Sequence, residues 1–443
     1  MGHSEALYSN VFDSCPEDWE VVPFGDAVDF REGPGILAKD FRDDGVPLLR
    51  LRNIERPYVD MSGSNFLDPE MVEKKWSHFR VDAGDLLVST SGTLGRVSIA
   101  TGAAVGSIPY TGIIRMRPGQ ESICSGFIRY FLTSPIFQQQ AEASAAGSVL
   151  RHFGPSHLRE MSFPVPPKQE QERIADILGT LDDKIELNRQ MNRTLEVMAR
   201  AIFKAWFVDF EPVKAKAAGS TSFRGMPQPV FDQLPDRFTD TELGPVPEGW
   251  EIKPLDEIAS FLNGIALQKY PASPSEHSLP VIKIAELRNG VSTKSGRVSR
   301  EVPSKYIVHD GDFLFSWSGS LLARFWTEGE GALNQHLFKV TSESYPMWFV
   351  SQWVQYHLEA FQEIAASKAT TMGHIQRRHL KEAWTVCAPS HVLDGMSRVV
   401  SPLIDKLITA EIESRTLTSI RDALLPKLIS GEIRPGTANA EDA

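Results

Sequence analysis

The chain has 443 residues, which is enough for two domains rather than one ordinary core. Its 42% hydrophobic and 23% charged residues are typical of a soluble globular protein. Cys15, Cys124 and Cys387 form no CxxC pair, which argues against a disulfide framework and a cysteine zinc site. No apolar run approaches the roughly 20 residues that span a bilayer, and no signal-peptide core opens the chain, so we expect a cytoplasmic protein.

The formal net charge of −11 counts against nucleic-acid binding, which usually requires a basic protein. Charge acts locally, however, over a Debye length of roughly 8–10 Å. Six arginines lie between positions 96 and 159, against the two acidic residues Glu121 and Glu142. A basic face within an acidic chain is therefore possible, although scattered solvated charge explains the same composition.

The most informative feature of the sequence is an internal duplication. Pro16-Glu17-Asp18-Trp19-Glu20 returns as Pro247-Glu248-Gly249-Trp250-Glu251. Gly84-Asp85-Leu86-Leu87 returns as Gly311-Asp312-Phe313-Leu314, and His157-Leu158-Arg159-Glu160 returns as His379-Leu380-Lys381-Glu382. The offset varies before His157 and then holds at 222 residues. Because loops tolerate insertions and a long packed helix does not, each half is predicted to be a variable domain followed by a rigid helix.

Short apolar segments bounded by Gly, Pro or Asp predict strands in both variable domains. They lie at 46–54, 81–89 and 110–116 in the first copy and at 279–287, 308–316 and 333–340 in the second. Helical patterns at 127–145 and 348–366 are interleaved with them. This order predicts an α+β or mixed α/β domain of about 150 residues in each half.

Two stretches have apolar residues at alternating steps of four and three, which is the seam spacing of a coiled coil. Polar or small residues occupy the centre of both seams, where they would fix register and partner at some cost in stability. The matched centres favour pairing of the two helices over separate packing of each on its own domain. The predicted seam residues are Ile174, Leu178, Leu181, Ile185, Asn188, Leu195, Ile202, Met396, Val400, Leu403, Leu407, Leu417 and Leu424.

Three stretches resemble the specificity subunit of type I restriction–modification systems. The first runs from Phe163-Pro164-Val165-Pro166-Pro167 through Glu170-Gln171-Glu172-Arg173 to Leu181-Asp182-Asp183-Lys184-Ile185. The second is Ala205-Trp206-Phe207-Val208-Asp209-Phe210, with Leu243-Gly244-Pro245 opening the second half, and the third is Leu424-Leu425-Pro426-Lys427-Leu428-Ile429. Ser390-His391-Val392-Leu393 departs from the pattern where a second Glu170-Gln171 segment is expected.

The resemblance implies an α+β protein with two α/β target recognition domains related by pseudo-two-fold symmetry and separated by two long antiparallel coiled-coil helices. Each domain would read one half of a split site in double-stranded DNA, and the helices would set the gap. The expected divisions are 1–166 for the first recognition domain, 167–210 for the first connector helix, 211–246 for an extended linker, 247–389 for the second recognition domain, 390–432 for the second connector helix and 433–443 for a flexible tail.

The resemblance also implies a non-catalytic chain. Two modification subunits would carry S-adenosylmethionine, and restriction subunits would join them, with no membrane involved. The residues agree, because the sequence has no Asn/Asp-Pro-Pro-Tyr/Phe loop for a flipped adenine, no GxGxxG, no Walker loop and no HExxH. We therefore expect no catalytic residue, metal or cofactor in this chain.

Two pairs of segments are candidates for DNA contact, because small hydroxyl residues let backbone amides approach phosphate and arginine can bind phosphate or guanine. A tight hairpin turn remains an alternative for the first pair, and a helix N-cap region for the second. The candidates are Ser89, Thr90, Ser91, Thr93, Arg96 and Arg115, Arg151 and His152 in the first copy, and Ser316, Trp317, Ser318 and Arg324, Thr370, Thr371, His374, Arg377 and Arg378 in the second.

Three other functions stay open from the sequence. A specificity subunit of a type II-like restriction–modification system would have the same residues. A coiled-coil scaffold with no DNA role fits the acidic charge but not the duplicated plan. A self-sufficient DNA-modifying enzyme is disfavoured by the missing cofactor motifs.

Overall fold

The computed structural model describes residues 15–55, 57–90, 96–144, 154–273, 277–367 and 373–436. The chain divides into two compact units, residues 1–183 with 417–443 and residues 184–416. Each unit has a four-stranded antiparallel sheet, a smaller mixed sheet, helices packed on the sheets and a part of each long helix. Among the described residues, no helix combines the length and the apolar composition that crossing a membrane requires.

The two long helices begin one residue after matching prolines. The first runs over Lys168–Phe203, 36 residues, and continues into a π-helical turn at Lys204–Val208. The second runs over Ser390–Ser430, 41 residues. At 1.5 Å per residue these helices are about 54 Å and 62 Å long. The carbonyls of Pro167 and Pro389 accept hydrogen bonds from the first turn of each helix, so both copies start the helix in the same way.

The antiparallel sheet of the first unit has its counterpart in the second unit, with the same strand order. In the first unit the order is Val28–Glu32, Ile113–Pro118, Leu86–Ser89 and Val97–Ile99. In the second it is Ser260–Asn263, Leu337–Thr341, Phe313–Ser316 and Ala323–Phe325. The observed strands Leu86–Ser89 and Phe313–Ser316, which fall within the strands predicted at 81–89 and 308–316, are thus inner strands of these sheets.

The mixed sheets share a parallel pair but differ around it, which accounts for the variable offset of the duplication. The pair is Val46–Leu49 with Ile108–Pro109 in the first unit and Leu279–Ile282 with Gly331–Leu333 in the second. The first unit adds Phe41–Arg42 and Asn65–Leu67 to one side, whereas the second adds Arg297–Val298 and Ile307–Val308 to opposite sides.

The remaining elements include a two-stranded sheet in each unit, Glu20–Pro23 with Ser162–Val165 and Glu251–Pro254 with Trp384–Cys387. The helices of the first unit are Phe24–Ala27, Pro69–Lys75, Ser125–Thr133, Pro135–Ser144 and Pro155–Glu160. Those of the second unit include Leu255–Ile258, Ile284–Asn289, Met347–Ser367 and Arg377–Glu382. Short 3₁₀ turns lie at Ala38–Asp40, Leu51–Ile54, Ser77–Phe79, Gly102–Ala104, Leu267–Lys269 and Ser304–Tyr306.

Two strand predictions extend too far. The strands predicted over 46–54 and 279–287 end at Leu49 and Ile282, and a helical turn follows each of them. The reason is local capping, because the side chain of Asn53 accepts a hydrogen bond from the amide of Arg50, and Glu286 accepts one from Lys283. The 127–145 pattern likewise forms two helices instead of one, because Pro135 starts a new helix after Ser134.

The prediction of an extended linker over 211–246 is wrong. This segment forms the helices Glu211–Ala217 and Gln228–Asp232 and the hairpin Phe238–Thr241 with Gly244–Pro247. Its apolar residues, Val213, Met226, Val230, Phe231, Leu234 and Val246, are buried in the main core of the second unit. Five prolines and the short spacing of these elements hide any regular period, so the sequence pattern resembles a linker although the segment is part of the core.

The two long helices run antiparallel within the second unit. Asn188 donates from Nδ2 to the carbonyl of Ala410 at 3.3 Å, to Glu413 Oε2 at 2.8 Å and to Ser414 Oγ at 3.2 Å. One turn further along, Asn192 donates to the carbonyl of Leu407 at 3.3 Å. Ala410 lies 222 residues after Asn188, so Asn188 faces its own repeat counterpart. This is expected where two copies of one helix pair antiparallel around a two-fold axis.

The predicted seam residues lie on buried or half-buried faces of the two long helices. Ile174, Leu178, Ile185, Asn188, Met396, Val400 and Leu407 are buried, and Leu181, Leu195, Ile202, Leu403, Leu417 and Leu424 are half-buried. Near the ends, the neighbours Phe203, Ile404 and Leu425 are more deeply buried than the predicted residues. This one-residue drift follows from the mismatch between 3.6 residues per turn and a strict heptad.

One glycine in each unit, Gly33 in the first and Gly264 in the second, lies where the antiparallel sheet approaches the parallel strand pair of the mixed sheet. Gly33 donates to the carbonyl of Ile113 at 2.9 Å, and Gly264 donates to the carbonyl of Leu337 at 3.0 Å. A Cβ at Gly33 would lie 2.2 Å from the carbonyl oxygen of Pro109, and one at Gly264 would lie 2.3 Å from that of Asn334. Glycine is therefore required at both positions by close approach of two backbones.

We expect Gly33→Ala and Gly264→Ala each to reduce the free energy of unfolding by about 1–3 kcal/mol, because backbone must move to admit the methyl group. Gly35→Ala is the matched control, since a Cβ there meets nothing within 4 Å. Chemical denaturation of the three purified variants gives the comparison. Equal stability of Gly33→Ala and Gly35→Ala would contradict the close-approach argument.

Candidate nucleic-acid interface

In the second unit, the two candidate segments that lie far apart in sequence are joined. Ser318 and His374 form an isolated antiparallel bridge. The amide of Gly319 donates to the carbonyl of Gly373 at 2.8 Å, and the amide of Ile375 donates to that of Trp317 at 2.9 Å. The turn after strand Phe313–Ser316 and the segment before helix Arg377–Glu382 thus form one surface.

Trp317 organises the side chains of this surface. Its Nε1 donates to Asn263 Oδ1 at 2.8 Å and to the carbonyl of Gln335 at 3.2 Å. Its ring lies against His336, with centroids 5.8 Å apart, and edge-on to His374 at 6.3 Å. Hydrogen bonding fixes the tryptophan while its side chain stays half-buried, so it can serve as a rigid contact for a planar or sugar group.

Polar groups surround this tryptophan. Ser318 Oγ lies 3.0 Å from His336 Nδ1. Arg377 is exposed, donates to the carbonyl of Phe261 at 3.2 Å and lies with its Cζ 5.7 Å from the ring centroid of Phe338. The exposed Asn263, His374 and Arg377 therefore present amide, imidazole and guanidinium groups together, and these groups can bind base edges and phosphates.

The equivalent positions of the first unit hold different residues. The matching sheet registers place Thr90, Glu32 and Gly112 where the second unit has Trp317, Asn263 and His336. The amide of Thr90 donates to the carbonyl of Gly112 at 2.9 Å, just as that of Trp317 donates to His336 at 3.3 Å. The backbone of this edge is thus retained while its side chains change.

The first unit has a basic and aromatic cluster at this edge that the sequence analysis missed. Arg50 lies with its Cζ 5.9 Å from the Tyr110 ring, and Arg52 donates to Asn65 Oδ1 at 3.4 Å. The amide of Tyr110 bonds to the carbonyl of Leu49 at 2.9 Å, which connects the cluster to the edge at Gly112. The sequence prediction hid this cluster, because Arg50-Leu51-Arg52 lies within the strand predicted at 46–54, whereas the observed strand ends at Leu49.

Arg115 is a wrong candidate for DNA contact. It is 8% exposed, donates to the backbone carbonyls of His78 and Arg80 and lies 4.0 Å from Asp85. Burial and the neighbouring Arg117 lower the pKa of Arg115. The second copy repeats the arrangement with Lys339, which lies 2.6 Å from Asp312 and donates to the carbonyl of Ile307 at 3.2 Å. This buried cation therefore belongs to the scaffold of both units.

Ser89 and Ser316 are also wrong candidates, because both are buried and their hydroxyl groups close the hairpin turn. Ser89 Oγ accepts from the amide of Arg96 at 3.0 Å, and Ser316 Oγ accepts from that of Leu322 at 2.9 Å. Arg96 thus corresponds to Leu322 and not to Arg324. The first turn is one residue longer, which the match by sequence offset did not take into account.

The other candidates have varied surroundings. Arg96 pairs with Glu55 at 3.0 Å on the surface, and Arg324 pairs with Glu411 at 3.0 Å. Thr90 is buried and Arg378 is exposed. His157 and His379, which recur in register, accept through Nδ1 from the amides of Gly154 and Gln376, so each caps the N-terminus of its own helix, Pro155–Glu160 or Arg377–Glu382. Ser91, Thr93, Arg151, His152, Thr370 and Thr371 lie outside the described residues.

These features together define a class of protein. A scaffold repeated in two units presents two differing edges rich in arginine, histidine, amide and aromatic groups, and long helices connect the units. This is the arrangement of a tandem nucleic-acid-binding protein with two distinct sites.

Comparisons with known proteins point to one kind of protein. A model of the type I restriction modification DNA specificity domain matches residues 16–197. The MjaIX specificity subunit of Methanocaldococcus jannaschii is 25% identical over 437 residues, 95% of this chain and 94% of that protein. The HindI specificity subunit of Haemophilus influenzae is 26% identical over 318 residues, 62% of this chain and 69% of that protein. This chain is therefore similar to type I restriction enzyme specificity subunits over nearly its whole length.

A solved structure has the same fold. The crystal structure of a type I restriction–modification S subunit from M. genitalium superimposes with a TM-score of 0.55 at 16% identity. The match covers 95% of this chain and 97% of that chain, so it includes both duplicated domains and both long helices.

We expect Arg377→Ala to weaken DNA binding about fivefold to tenfold, because it removes one exposed contact, while the melting temperature stays unchanged.

We expect Arg115→Ala to reduce the free energy of unfolding by about 2–4 kcal/mol, because it removes a buried cation from its bonded partners. Fluorescence anisotropy at fixed salt and thermal melting separate the two effects. Full DNA affinity in Arg377→Ala would exclude this edge as the interface.

Proposed function

We propose that this chain is the DNA-reading subunit of a type I restriction–modification enzyme, in which each unit reads one half of a bipartite site in cytoplasmic DNA. One observation supports this proposal above the others. Equivalent edge positions differ in side chain, with Trp317, His336 and Asn263 in place of Thr90, Gly112 and Glu32, while the buried scaffold beneath them is retained. Two readers with different target sequences would diverge in this way.

The side chains of the two edges favour different DNA contacts. The second unit offers an indole, two imidazoles and an amide, which suit hydrogen bonding and stacking against bases and sugars. The first unit offers Arg50 and Arg52 beside Tyr110, which suit a phosphate or guanine contact. Both edges lie within an acidic chain, so affinity would depend on these local groups and decrease steeply with salt.

The long helices would set the gap between the half-sites and dock the partners. On the first long helix, the second unit exposes Leu187, Val197 and Met198, with Leu187 59% and Val197 67% exposed. The first unit exposes Ile177 and Ile420 on its helical segments. Apolar side chains at such exposure favour contact with another protein. The partners would be two modification subunits and the restriction subunits.

The chemistry would belong to those partners. The modification subunits would bind S-adenosylmethionine, which supplies the methyl group, and flip the target adenine out of the duplex. This chain would contribute sequence recognition, orientation and spacing, with no catalytic residue of its own. Purified alone, it should therefore bind DNA without methylating it.

The spacing can be tested by lengthening both helices at their facing positions, with four residues inserted after Asn188 and four after Ala410. Four residues add about 6 Å of rise and nearly preserve the seam, and DNA rises about 3.4 Å per base pair. In cells that also express the methyltransferase subunit, we expect the methylated motif to remain bipartite with a gap one or two base pairs longer. Mapping of methylated adenines measures this gap.

The matched control inserts two residues at each position. Two residues rotate the seam by about 200° and expose its apolar side, so we expect assembly and methylation to be lost. A continuous motif from the unmodified chain would contradict the proposed function. An unchanged gap after the four-residue insertions would show that the partners, and not the helices, set the spacing.

A further inference from the structure

Ion pairs connect the reader part of the second unit, by which we mean its sheets and short helices, to the second long helix. Arg324 donates to both oxygens of Glu411, at 3.1 and 3.0 Å, and the hydroxyl of Thr327 donates to the same carboxylate at 2.9 Å. One helical turn later, Arg415 donates to both oxygens of Asp310, at 2.8 and 2.9 Å. Arg324 uses Nη2 alone, whereas Arg415 uses both terminal nitrogens and makes a bidentate pair, and together they hold the strand Ala323–Phe325 and the turn at Asp310 against one face of the helix.

The pair of Arg415 and Asp310 persists at neutral pH. Burial alone would raise the pKa of Asp310, but the hydrogen bonds from Arg415 and the amide of Gly329 outweigh it and keep that pKa below its ordinary value. Arginine stays protonated throughout the physiological range. This contact therefore joins a charged guanidinium to a charged carboxylate, the arrangement with the most defined geometry among side-chain pairs.

The first unit connects its reader part to the long helices through other residues. Asp182 on the first long helix accepts from Arg129 at 2.8 Å, from the hydroxyl of Tyr130 at 3.0 Å and from Arg421 of the second long helix at 2.7 Å. The neighbouring Asp183 accepts from the hydroxyl of Tyr58 at 2.7 Å. Arg129 and Asp182 are almost completely buried, with side chains 9% and 11% exposed.

The two copies do not share these ionic contacts. The positions equivalent to Asp182, Arg129 and Arg421 hold Ile404, Ser351 and Ala199, which are buried in the second unit. The positions equivalent to Arg324 and Asp310 hold Ser98 and Ala83, which carry no charge. The antiparallel sheet is retained between the copies, whereas the contact between reader and helix differs.

Stability does not explain these contacts. Ion pairs exposed to the extent of Arg324 and Arg415, 39% and 31%, contribute little to folding. The equivalent positions of the other unit hold uncharged residues, so an ionic contact is not required at those positions. What a bidentate pair adds is direction, because it resists sliding and rotation that apolar contact alone would permit.

We propose that Arg324, Glu411, Asp310 and Arg415 in the second unit, and Arg129, Asp182 and Arg421 in the first, are positioning residues that fix the angle of each reader on the long helices and so restrict the enzyme to one gap length. The inference rests on the proposed function. Helix length would set the mean separation of the readers, and these pairs would set how strictly that separation is kept.

The test removes the reader side of both pairs in the second unit and leaves the helix intact, with Arg324→Ser and Asp310→Ala, the residues of the first copy. The variant is assembled with its methyltransferase subunit, and methylation rates are measured on duplexes with the native gap and with gaps one base pair longer and shorter. We expect the preference for the native gap to decrease about fivefold to tenfold, while the half-sites stay the same and the melting temperature stays within about 5 °C.

The matched control, Arg300→Ser with Asp236→Ala, removes one partner from each of two surface ion pairs of the same unit that do not touch a helix. We expect it to keep the native preference. The proposal would be overturned if the test variant folded and kept that preference, or if it lost methylation equally at all gaps. A wild-type assembly without bipartite methylation would instead contradict the proposed function itself.

A second variant applies the test to the first unit without leaving an unpaired buried charge. Arg129→Ser, Asp182→Ile and Arg421→Ala together install the residues of the second copy, and replacing a buried ionic cluster by apolar residues is often neutral for stability. We expect the same loss of gap preference. An unchanged preference in this folded triple variant would limit the positioning role to the second unit and overturn the proposal for the first.

Discussion

The hydrogen bond from Asn188 to the carbonyl of Ala410 fixes the register of the two long helices. Asn188 is 1% exposed, and its Oδ1 has no hydrogen-bond partner among the described residues, as is also true of Asn192. Apolar seam residues tolerate a shift of one turn, but a buried amide that moved away from Ala410, Glu413 and Ser414 would lose all its partners. The polar centre therefore gives up stability and defines one pairing.

Ionic groups beside the seam reinforce that register. The hydrogen bonds from Asn188 and Lys184 lower the pKa of Glu413, so this carboxylate stays ionised and anchors both partners at neutral pH. Because Asn188 faces its repeat counterpart Ala410, the two helices meet with equivalent repeat positions on either side of this contact. Any spacing that the helices impose on the reader parts therefore depends on the register at Asn188 and Ala410.

The duplicated tryptophans Trp19 and Trp250 have different hydrogen-bonding surroundings in the two units. In the first unit, Trp19 Nε1 donates to Glu170, which also pairs with Arg434 near the end of the described chain. In the second unit, Val392 takes the place of Glu170, and Trp250 Nε1 has no partner among the described residues. The departure at Ser390-His391-Val392-Leu393 is thus a change from a polar to an apolar joint, and the fold is unchanged.

Much of this architecture could be predicted from the sequence because it depends on periodicity and repetition. The seam around Asn188 and the sheet strands around Leu86 and Phe313 come directly from spacing and duplication. Burial of single side chains could not be predicted in this way. Arg115 and Ser89 have residue types that suit DNA contact, but the pairing of strands places them inside, and only the three-dimensional register shows that Arg324 corresponds to Ser98.

The candidate interface was partly predictable for the same reason. Ser318 and His374 were identified from their residue types, but their bridge depends on tertiary contact between segments more than 50 residues apart. Arg50 and Tyr110 were missed because both fell within predicted strands, at 46–54 and 110–116. The segment 211–246 was mistaken for a linker because its buried residues are spread over four short elements.

The central claim is that each unit reads its own half of the site, and replacing one reader tests it most directly. Residues 16–160 are exchanged for the equivalent segment of a related specificity subunit with a known target, and methylated adenines are mapped in cells that carry the hybrid and its methyltransferase. The account predicts that one half-site changes to that of the donor, while the other half-site and the gap remain. A change in both half-sites would contradict independent reading by two units.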